Sequence, residues 1–207
     1  MTTPLLTLDT VACTRGGVVL LENVSLNLLP GEARIVQGPN GSGKTTLLRT
    51  IAGLQPPSAG KLQAEDGAIA YAAHADGLKG TLTVAENLAF WASLFGTEDI
   101  ETAMSAYSLL DLRNRHAGAL SAGQKRRVGL ARLLVTACPV WVLDEPTVSL
   151  DAASVELFAD AIRQHLGRGG AALIATHIDL GLKAQVLDVA AFRPAHRSDG
   201  AFDEAFL

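Results

Sequence analysis

The sequence lacks any apolar run long enough to cross a bilayer. Its longest apolar runs, such as AALIAT and PVWVL, fall far short of the ~20 residues that a transmembrane helix needs. The first residues, MTTPLLTLDT, have no basic region followed by an apolar segment and a small-residue cleavage site, so no export signal is visible. We therefore expect a cytoplasmic protein that does not enter the membrane by itself.

Cysteine and clustered positive charge are also scarce. The two cysteines, Cys13 and Cys138, have no C-x-x-C partner, which predicts reduced, half-buried thiols rather than a disulfide or a metal site. The net charge is −4, and the only dense basic cluster is Lys125-Arg126-Arg127. The absence of a basic stripe argues against a nucleic-acid partner.

The remaining composition indicates a globular domain with a small inserted lobe. A hydrophobic content of 48% with 18% charged residues, over 207 residues, allows a substantial core. Short apolar segments separated by Gly-rich or Pro-rich turns predict a β-rich first lobe. These segments are LLTLDTVA, VVLLENVSLNLL, ARIVQ, KLQA and AIAYAA.

The pattern then turns helical over residues 83–112, where TVAENLAFWASLF and IETAMSAYSLL carry apolar residues at three- and four-residue spacing. Strands and helices alternate in the rest of the chain, which predicts an α/β fold with a parallel sheet and ligands at the carboxyl ends of its strands. The predicted elements are a helix AGQKRRVGLARLLVT, a strand VWVLD, a helix ASVELFADAIRQHL, a strand AALIAT and a final strand near VLDVAAF.

A phosphate-binding loop is predicted directly after the strand ARIVQ. The segment GPNGSGKT has the spacing G-x-x-x-x-G-K-[ST], in which glycines at positive φ turn backbone N–H groups toward an anion. Lysine adds a point charge, the first threonine offers a hydroxyl to a metal, and the following helix N-terminus favours negative charge. The predicted phosphate-binding residues are Gly38, Pro39, Asn40, Gly41, Ser42, Gly43, Lys44, Thr45 and Thr46. This motif alone does not separate an ATPase from a kinase or a GTPase.

Two acidic residues end the apolar strand VWVLD. Asp144 is predicted at the strand tip, where it can hold Mg²⁺ together with Thr45. Glu145 follows and can orient or deprotonate an attacking water. His177 ends the strand AALIAT at the same sheet edge, where a histidine can contact a γ-phosphate. We expect Lys44, Glu145 and His177 to form the catalytic group.

A second anion-binding helix start is predicted at LSAGQ, where Ser121 is the expected N-cap. A β-α unit has one such site at its own phosphate loop, so LSAGQ is expected to serve another nucleotide. The segments GPNGSGKTT, LSAGQ, WVLDEPTVSLD and ATH occur in the order and approximate spacing of one family. On these motifs the chain resembles, over nearly its whole length, the ATP-binding subunits of ABC transporters.

The resemblance implies a P-loop NTPase core of the RecA-like type, with an antiparallel β subdomain and an inserted α-helical subdomain. One domain, residues 1–207, would comprise a core lobe at about 1–80 and 137–207 and a helical lobe at about 81–136. The implied substrate and cofactor are ATP and Mg²⁺. The implied partners are a second copy in a head-to-tail homodimer and integral membrane subunits, which hold the chain at the cytoplasmic face of the bacterial inner membrane.

By the same resemblance, one subunit covers the γ-phosphate bound by the other subunit's loop. The residues that would do so are Ser121, Ala122, Gly123 and Gln124. The segment that would link the two sites across the dimer comprises Ser149, Leu150 and Asp151, and His177 would be the switch histidine.

Three positions depart from the family pattern. Ala122 stands where glycine is usual, and we expect activity to survive. His74 stands where a glutamine usually joins the Mg²⁺ site to the membrane partner, which can add pH dependence. Arg15 stands near the usual adenine-stacking aromatic residue; its guanidinium can stack on a base, or it can be a solvated turn residue.

A narrower resemblance is to the ATP-binding subunits of cytochrome c biogenesis systems. It rests on TVSLDAASV, ATHIDLGL, AHADGLKG and LSAGQKRR. It implies that hydrolysis drives release of a haem-loaded chaperone or haem export, with the membrane proteins of that system as partners. No residue has the context of a haem ligand, and His116, His165 and His196 are expected at the surface.

The membrane partner is expected to dock on residues 74–91, although Phe90 and Trp91 within that segment are each expected in the core. Three alternatives remain open. The chain can serve another ABC importer or exporter, since the cargo does not touch this subunit. A small-molecule kinase needs an acceptor pocket and an Arg-rich lid, and a non-transport ABC protein needs a coiled-coil insertion or two ATPase units.

Overall fold

The computed structural model describes residues 2–194. His196, expected at the surface, lies outside them. Within this range the strands are β1 (Leu6–Arg15), β2 (Val18–Leu28), β3 (Ala33–Gln37), β4 (Ala59–Gln63), β5 (Ile69–Ala72), β6 (Val140–Asp144), β7 (Ala171–Ala175) and β8 (Ala184–Asp188). The α-helices are α1 (Lys44–Ile51), α2 (Val84–Leu94), α3 (Glu101–Ala106), α4 (Ala122–Val135) and α5 (Ala152–Gly167).

The strands form two sheets. An antiparallel sheet has the order β2-β1-β4, and a five-stranded parallel sheet has the order β5-β6-β7-β3-β8. Every pairing in the second sheet is parallel, so the carboxyl ends of its strands meet at one edge. The α/β fold with an antiparallel β subdomain, a parallel-sheet core and an inserted helical segment is therefore confirmed.

The inner strands β6 and β7 are buried on both faces, which is why they are apolar almost throughout. All of β6 is buried, and alternate residues face opposite sides. Val140 and Val142 pack in the layer shared with α1 and the antiparallel sheet. Trp141 and Leu143 pack in the layer shared with α2 to α5. Cys13 and Cys138 are free thiols, as expected, and both are fully buried rather than half-buried.

Two predicted elements are shorter in the structure. The helical pattern IETAMSAYSLL is interrupted because Ser108 adopts φ +50°, so α3 ends at Ala106 and a short 3-10 helix follows at Leu110–Leu112. The final strand ends at Asp188, whose carboxylate accepts a hydrogen bond from the Ala190 N–H at 2.9 Å. The residues Val189–Phe192 consequently form a 3-10 helix instead of a strand.

No helix in residues 2–194 is both long enough and apolar enough to span a membrane.

Candidate active site

The carboxyl edge of the parallel sheet brings the predicted phosphate and catalytic groups together. β3 leads into residues 38–46, β6 ends at Asp144, and β7 leads into His177. In the sheet β7 lies between β6 and β3, and its Ala175 pairs with both Asp144 and Val36. Loops that are about a hundred residues apart in sequence therefore share one edge.

The glycine loop has the backbone that the sequence predicts. Gly38, Gly41 and Gly43 have φ values of +148°, +71° and +101°, which L side chains rarely adopt. Space is also restricted at Gly38, where an added Cβ would lie 2.7 Å from Val189 Cγ2 and 2.8 Å from Ser42 Oγ. Gly43 immediately precedes α1, so the loop passes directly into a helix N-terminus, where backbone N–H groups favour an anion.

Two side chains inside this loop suit a polyphosphate. The Lys44 ammonium curls into the loop, where Nζ donates to the Gly38 carbonyl at 2.7 Å and to the Pro39 carbonyl at 3.2 Å. The Ser42 hydroxyl is buried and has no hydrogen-bond partner within the described chain. Buried hydroxyls are normally satisfied, so this one fits a site that gains an acceptor when a phosphate binds.

The loop borders a cavity of about 270 Å³ that includes the two acidic residues. Its lining consists of Arg15, Leu20, Asn40, Gly41, Ser42, Gly43, Lys44, Thr45, Thr46, Asp144 and Glu145. A hydroxyl from Thr45 and a carboxylate from Asp144 are hard oxygen donors, which Mg²⁺ prefers. Both residues line this cavity, and an ion held by two protein donors would take its further oxygens from substrate and water.

Tyr71 on β5 contacts this carboxylate and was missed in the sequence. Its hydroxyl lies 3.5 Å from Asp144 Oδ2. Burial, and then the charge of Asp144, raise the pKa of Tyr71 to about 12, so the phenol keeps its proton and faces the carboxylate as a donor. The parallel pairing of β5 with β6 places the two residues at the same edge, a placement that requires knowledge of the strand order.

Glu145 adopts a strained backbone conformation directly after β6. Its φ is +48°, a region that non-glycine residues rarely occupy and that is often found at active sites. The Glu145 N–H donates to the Ala175 carbonyl at 2.9 Å, which ties the residue to β7. The Glu145 carboxylate in turn lies near His177, with 3.5 Å between His177 Nε2 and Glu145 Oε1. Glu145 and His177, two of the three predicted catalytic residues, are thus adjacent.

The LSAGQ segment begins α4 as predicted. Ser121 is the N-cap, and a capping box is complete: Ser121 Oγ accepts from the Gln124 N–H at 3.3 Å, and Gln124 Oε1 accepts from the Ser121 N–H at 3.0 Å. Ser121 and Ala122 are exposed, and none of residues 121–124 lines the phosphate-loop cavity of the described chain. The two predicted anion sites are therefore separate surfaces of one subunit.

Residues 149–151 pack against the start of α4. A Cβ added to Gly123 would lie 2.9 Å from the Ser149 carbonyl oxygen, so the glycine permits this close approach. Ser149 itself has φ +67°. Asp151 is the N-cap of α5 and accepts from the Ser154 N–H at 2.8 Å, and its hydrogen bonds with Ser154 lower its pKa. Leu150 packs against the apolar layer beneath α4 and α5.

The basic cluster near the start of α4 is not a charged surface patch. Arg126 is 3% exposed, and its guanidinium donates to the carbonyls of Glu145 and Pro146. The neighbouring Arg127 donates to the carbonyls of Tyr107 and Ser108. The sequence indicates only the charge of this run and not that Arg126 contacts the segment of the predicted base Glu145, because burial depends on how α4 packs.

Two of the three departures from the family pattern, Arg15 and His74, lie in different parts of the subunit. Arg15 ends β1 and lines both the phosphate-loop cavity and an adjoining cavity of about 340 Å³ with Thr45, Thr46, Arg49 and Gln55. It therefore stands beside the loop, where an adenine contact is geometrically open to it. His74 is exposed in the loop after β5, and its carbonyl accepts from Arg126 at 3.4 Å.

Two expected locations of side chains are wrong. His165 was expected at the surface, but it is half-buried because its ring stacks on Trp141, with ring centroids 3.9 Å apart. Phe90 was expected in the core, but it is 57% exposed because it lies away from the face of α2 that carries the buried residues of that helix. Trp91 packs partly into the core as expected, with the Arg132 guanidinium 4.8 Å from its ring centroid. His116 is exposed, as expected.

Comparison with known proteins places these features in a family. The family model described as ABC transporter matches residues 21–148. The Cytochrome c biogenesis ATP-binding export protein CcmA of Ruegeria pomeroyi is 61% identical over 201 residues, covering 95% of this chain and 98% of the relative. The protein of the same name from Rhodobacter capsulatus is 62% identical over 212 residues, with 98% and 99% covered.

Solved structures agree with the fold. An ABC transporter ATP-binding protein from Pyrococcus furiosus superposes with a TM-score of 0.82 at 26% identity, covering 91% of this chain and 99% of the solved one. A nucleotide-free ATP-binding cassette from an ABC transporter superposes with a TM-score of 0.75 at 22% identity. The chain therefore belongs to the ABC transporter ATP-binding family, is an ABC-type ATPase, and within that family resembles the CcmA proteins.

Proposed function

We propose that this ATPase hydrolyses ATP at the edge of its parallel sheet with Glu145 as the general base. The observation that supports this function best is that the glycine loop, Asp144 and Glu145 line one cavity. Backbone N–H groups of residues 38–46 and the Lys44 ammonium bind the phosphates, and bonds to charged oxygens contribute about 1.5–3 kcal/mol each. Several such bonds are sufficient for micromolar binding.

Thr45 and Asp144 would hold Mg²⁺, which supplies charge neutralisation at the phosphates when it is bound. Glu145 orients the attacking water and accepts its proton. His177, beside Glu145, donates a hydrogen bond toward the γ-phosphate as negative charge develops on it. The strained backbone of Glu145 fixes the direction of its carboxylate before substrate arrives, which lowers the reorganisation that the reaction requires.

We propose that the active form is a head-to-tail homodimer. Residues 121–124 form a helix N-terminus that is exposed at Ser121 and Ala122 and does not line the 38–46 cavity of the same subunit. In a homodimer this helix start would cover the γ-phosphate bound by the other copy. Residues 149–151, which contact the start of α4 in the same subunit, would then lie near the second site and link the two.

We propose that the chain powers an export step in cytochrome c biogenesis, the process for which its relatives are named. It would act at the cytoplasmic face of the inner membrane, held there by integral membrane subunits. The segment 74–91 is the proposed docking surface, and its exposed phenyl ring at Phe90 is suited to an apolar contact. The helical lobe proposed at about 81–136 contains residues 81–91 of this surface and the start of α4.

The test of the proposed reaction is Glu145→Gln, which keeps the shape of the side chain but cannot accept a proton. We expect the variant to bind Mg²⁺-ATP as the parent does. The rate of phosphate release is expected to fall by about 100-fold or more, because a positioned base accelerates a reaction by roughly 10²–10⁴. Normal phosphate release by this variant would falsify the role of Glu145. Formation of ADP and free phosphate as the only products separates this reaction from kinase activity.

The test of the proposed setting is co-purification from membranes in mild detergent. We expect the chain to carry integral membrane subunits with it and the bound proteins to be those of cytochrome c biogenesis. Recovery of membrane subunits from a different ABC system would instead favour another importer or exporter.

A further inference from the structure

The Arg126 guanidinium joins the segment just after β6, where Glu145 lies, to the loop after β5. Nε donates to the Pro146 carbonyl at 2.8 Å, and Nη2 donates to the Glu145 carbonyl at 2.9 Å. Nη1 donates to the Ala73 carbonyl at 2.7 Å, in the loop that follows β5. The side chain therefore bonds to the backbone of the catalytic strand end on one side and to the loop after β5 on the other.

The same guanidinium has one carboxylate partner, Asp76, at 3.2 Å from Nη1. Most of its bonds go to neutral carbonyls, although the Arg126 side chain is only 4% exposed. A buried charge is a poor source of stability, since apolar residues of similar size often serve as well. The planar fork of arginine, however, can fix several acceptors in one geometry, which lysine and apolar side chains cannot do.

The backbone conformation of Glu145 must be held in place by surrounding contacts. A glutamate at φ +48° occupies an unfavourable conformation, which persists only when surrounding contacts determine it. Three hydrogen bonds do so: the Glu145 N–H donates to the Ala175 carbonyl at 2.9 Å, and the Glu145 carbonyl accepts from Arg126 Nη2 at 2.9 Å and from the Val148 N–H at 3.4 Å. The first bond belongs to the sheet edge, and the second comes from α4.

We propose that Arg126 is a positioning residue that acts through Glu145. It holds the Glu145 backbone in the conformation that points the carboxylate toward His177, and it ties that conformation to the loop at residues 73–76. A displacement of this loop would be transmitted to the base through the one guanidinium. The proposal rests on the proposed function, because it takes Glu145 to be the base.

The test compares Arg126→Lys with Arg127→Gln in the full chain. Arg127 is the next residue on α4, and its Nη1 bonds to the carbonyls of Tyr107 and Ser108, at 2.9 and 3.2 Å. The control therefore loses a guanidinium from the same helix without losing a bond to Glu145. The lysine variant keeps the positive charge opposite Asp76 but cannot reproduce the fork.

We expect Arg126→Lys to lower kcat for ATP hydrolysis by about 10- to 100-fold, as a small misplacement of a catalytic group does. KM for ATP is expected to stay near the parent value, because none of the hydrogen bonds of Arg126 goes to residues 38–46. Arg127→Gln is expected to lower the melting temperature with kcat close to that of the parent. Equal kcat in the two variants, or a parallel rise in KM, overturns the proposal.

Two further variants test the positioning role of Arg126 independently. If Arg126→Lys does not fold, Asp76→Asn is expected to lower kcat in the same direction by a smaller factor, and an unchanged kcat overturns the proposal. In a Glu145→Gln background, Arg126→Lys is expected to add no further loss of residual hydrolysis, because both changes act on one group. A full additional loss overturns the proposal.

The single variant Glu145→Gln separates the two claims. Normal turnover by it removes the proposed base, and with it the proposed function, whatever Arg126 does. An inactive Glu145→Gln together with a fully active Arg126→Lys removes only the positioning role.

Discussion

His177 and Glu145 face each other across the edge of the parallel sheet, with His177 Nε2 3.5 Å from Glu145 Oε1. The pairing of Asp144 with Ala175 aligns the ends of β6 and β7, so the residues just beyond those ends become neighbours. The two side chains differ in exposure, 65% for His177 and 30% for Glu145. The glutamate is thus held within the site, and the histidine stands at its open side.

This arrangement predicts that His177→Ala lowers the rate of ATP hydrolysis with little change in nucleotide affinity. We expect kcat to fall by about 10²–10³, the usual cost of removing one donor to developing negative charge. His177→Gln keeps a hydrogen-bond donor, so its kcat is expected to lie between those of the parent and His177→Ala. The measurement is steady-state phosphate release with a separate determination of ATP affinity.

The control for this change is His116→Ala. His116 is exposed, and its Nδ1 lies 3.0 Å from the Thr81 carbonyl oxygen. It lies outside the sheet edge, so its loss is expected to leave kcat near the parent value. Equal activity of the two alanine variants would contradict the role proposed for His177.

Gly123 and Ala122 are adjacent at the start of α4 but are expected to respond differently to substitution. A Cβ at Gly123 meets the Ser149 carbonyl at 2.9 Å, so Gly123→Ala must displace residues 149–151 or the helix start. We expect it to lower the free energy of unfolding by about 1–3 kcal/mol, as overpacking does, and to reduce ATPase activity. Chemical denaturation and an ATPase assay measure the two effects.

Ala122→Gly is the matched variant, since it restores the residue usual at this position in the family. Ala122 is exposed and is the first residue of α4, so removal of its methyl group relieves no clash within the subunit. We expect its activity to stay close to that of the parent. A larger loss for Ala122→Gly than for Gly123→Ala would contradict the packing assigned to Gly123.

Much of the fold was predictable because its signals are local. The alternation of apolar segments and turns indicated the strands, and positive φ at Gly38, Gly41 and Gly43 followed from the phosphate-loop spacing. The N-cap at Ser121 was likewise evident from the residue type and the following helix. Each of these features depends on neighbours within a few residues.

The features that the sequence did not reveal depend on the packing of distant segments. Arg126 was read as part of a basic run, but α4 buries it against the ends of β5 and β6. The Tyr71 hydroxyl meets Asp144 only because β5 pairs with β6. Phe90 is exposed for the same kind of reason, since the apolar pattern of α2 does not specify which ring faces α4.

The exposure of Phe90 predicts a loss of partner binding without a loss of enzymatic activity. We expect Phe90→Ser to change the free energy of unfolding by no more than about 0.5 kcal/mol, as exposed substitutions usually do. The isolated chain should keep its ATPase activity, and recovery of membrane subunits in detergent should fall. Val186→Ser on β8 is the control, because Val186 is similarly exposed, at 56%, but lies outside residues 74–91. Equal recovery with the two variants would contradict docking at Phe90.

The environment of His165 predicts a loss of stability in mild acid. Its ring stacks on Trp141 with an angle of 10° between the planes, and Nε2 lies 3.2 Å from the Pro139 carbonyl and 3.3 Å from the Ala171 carbonyl. Burial lowers the pKa of His165, an effect that the two carbonyls partly oppose and the nearby Arg168 slightly increases. The folded protein therefore holds this imidazole in its neutral form.

The unfolded chain binds a proton at this position near the ordinary histidine pKa of about 6.5, whereas the folded chain binds it only at lower pH. Because the unfolded state binds more protons in that interval, stability is full above pH ~6.5 and is lost as the pH falls toward the folded pKa. We expect the melting temperature of the parent to drop between pH 7.5 and 5.5. His165→Phe retains a stacked ring but cannot titrate, so its melting temperature should drop less over the same interval. His116→Gln, which removes an exposed histidine, should drop as much as the parent, and an equal drop in all three proteins would show that protonation of His165 does not carry the effect.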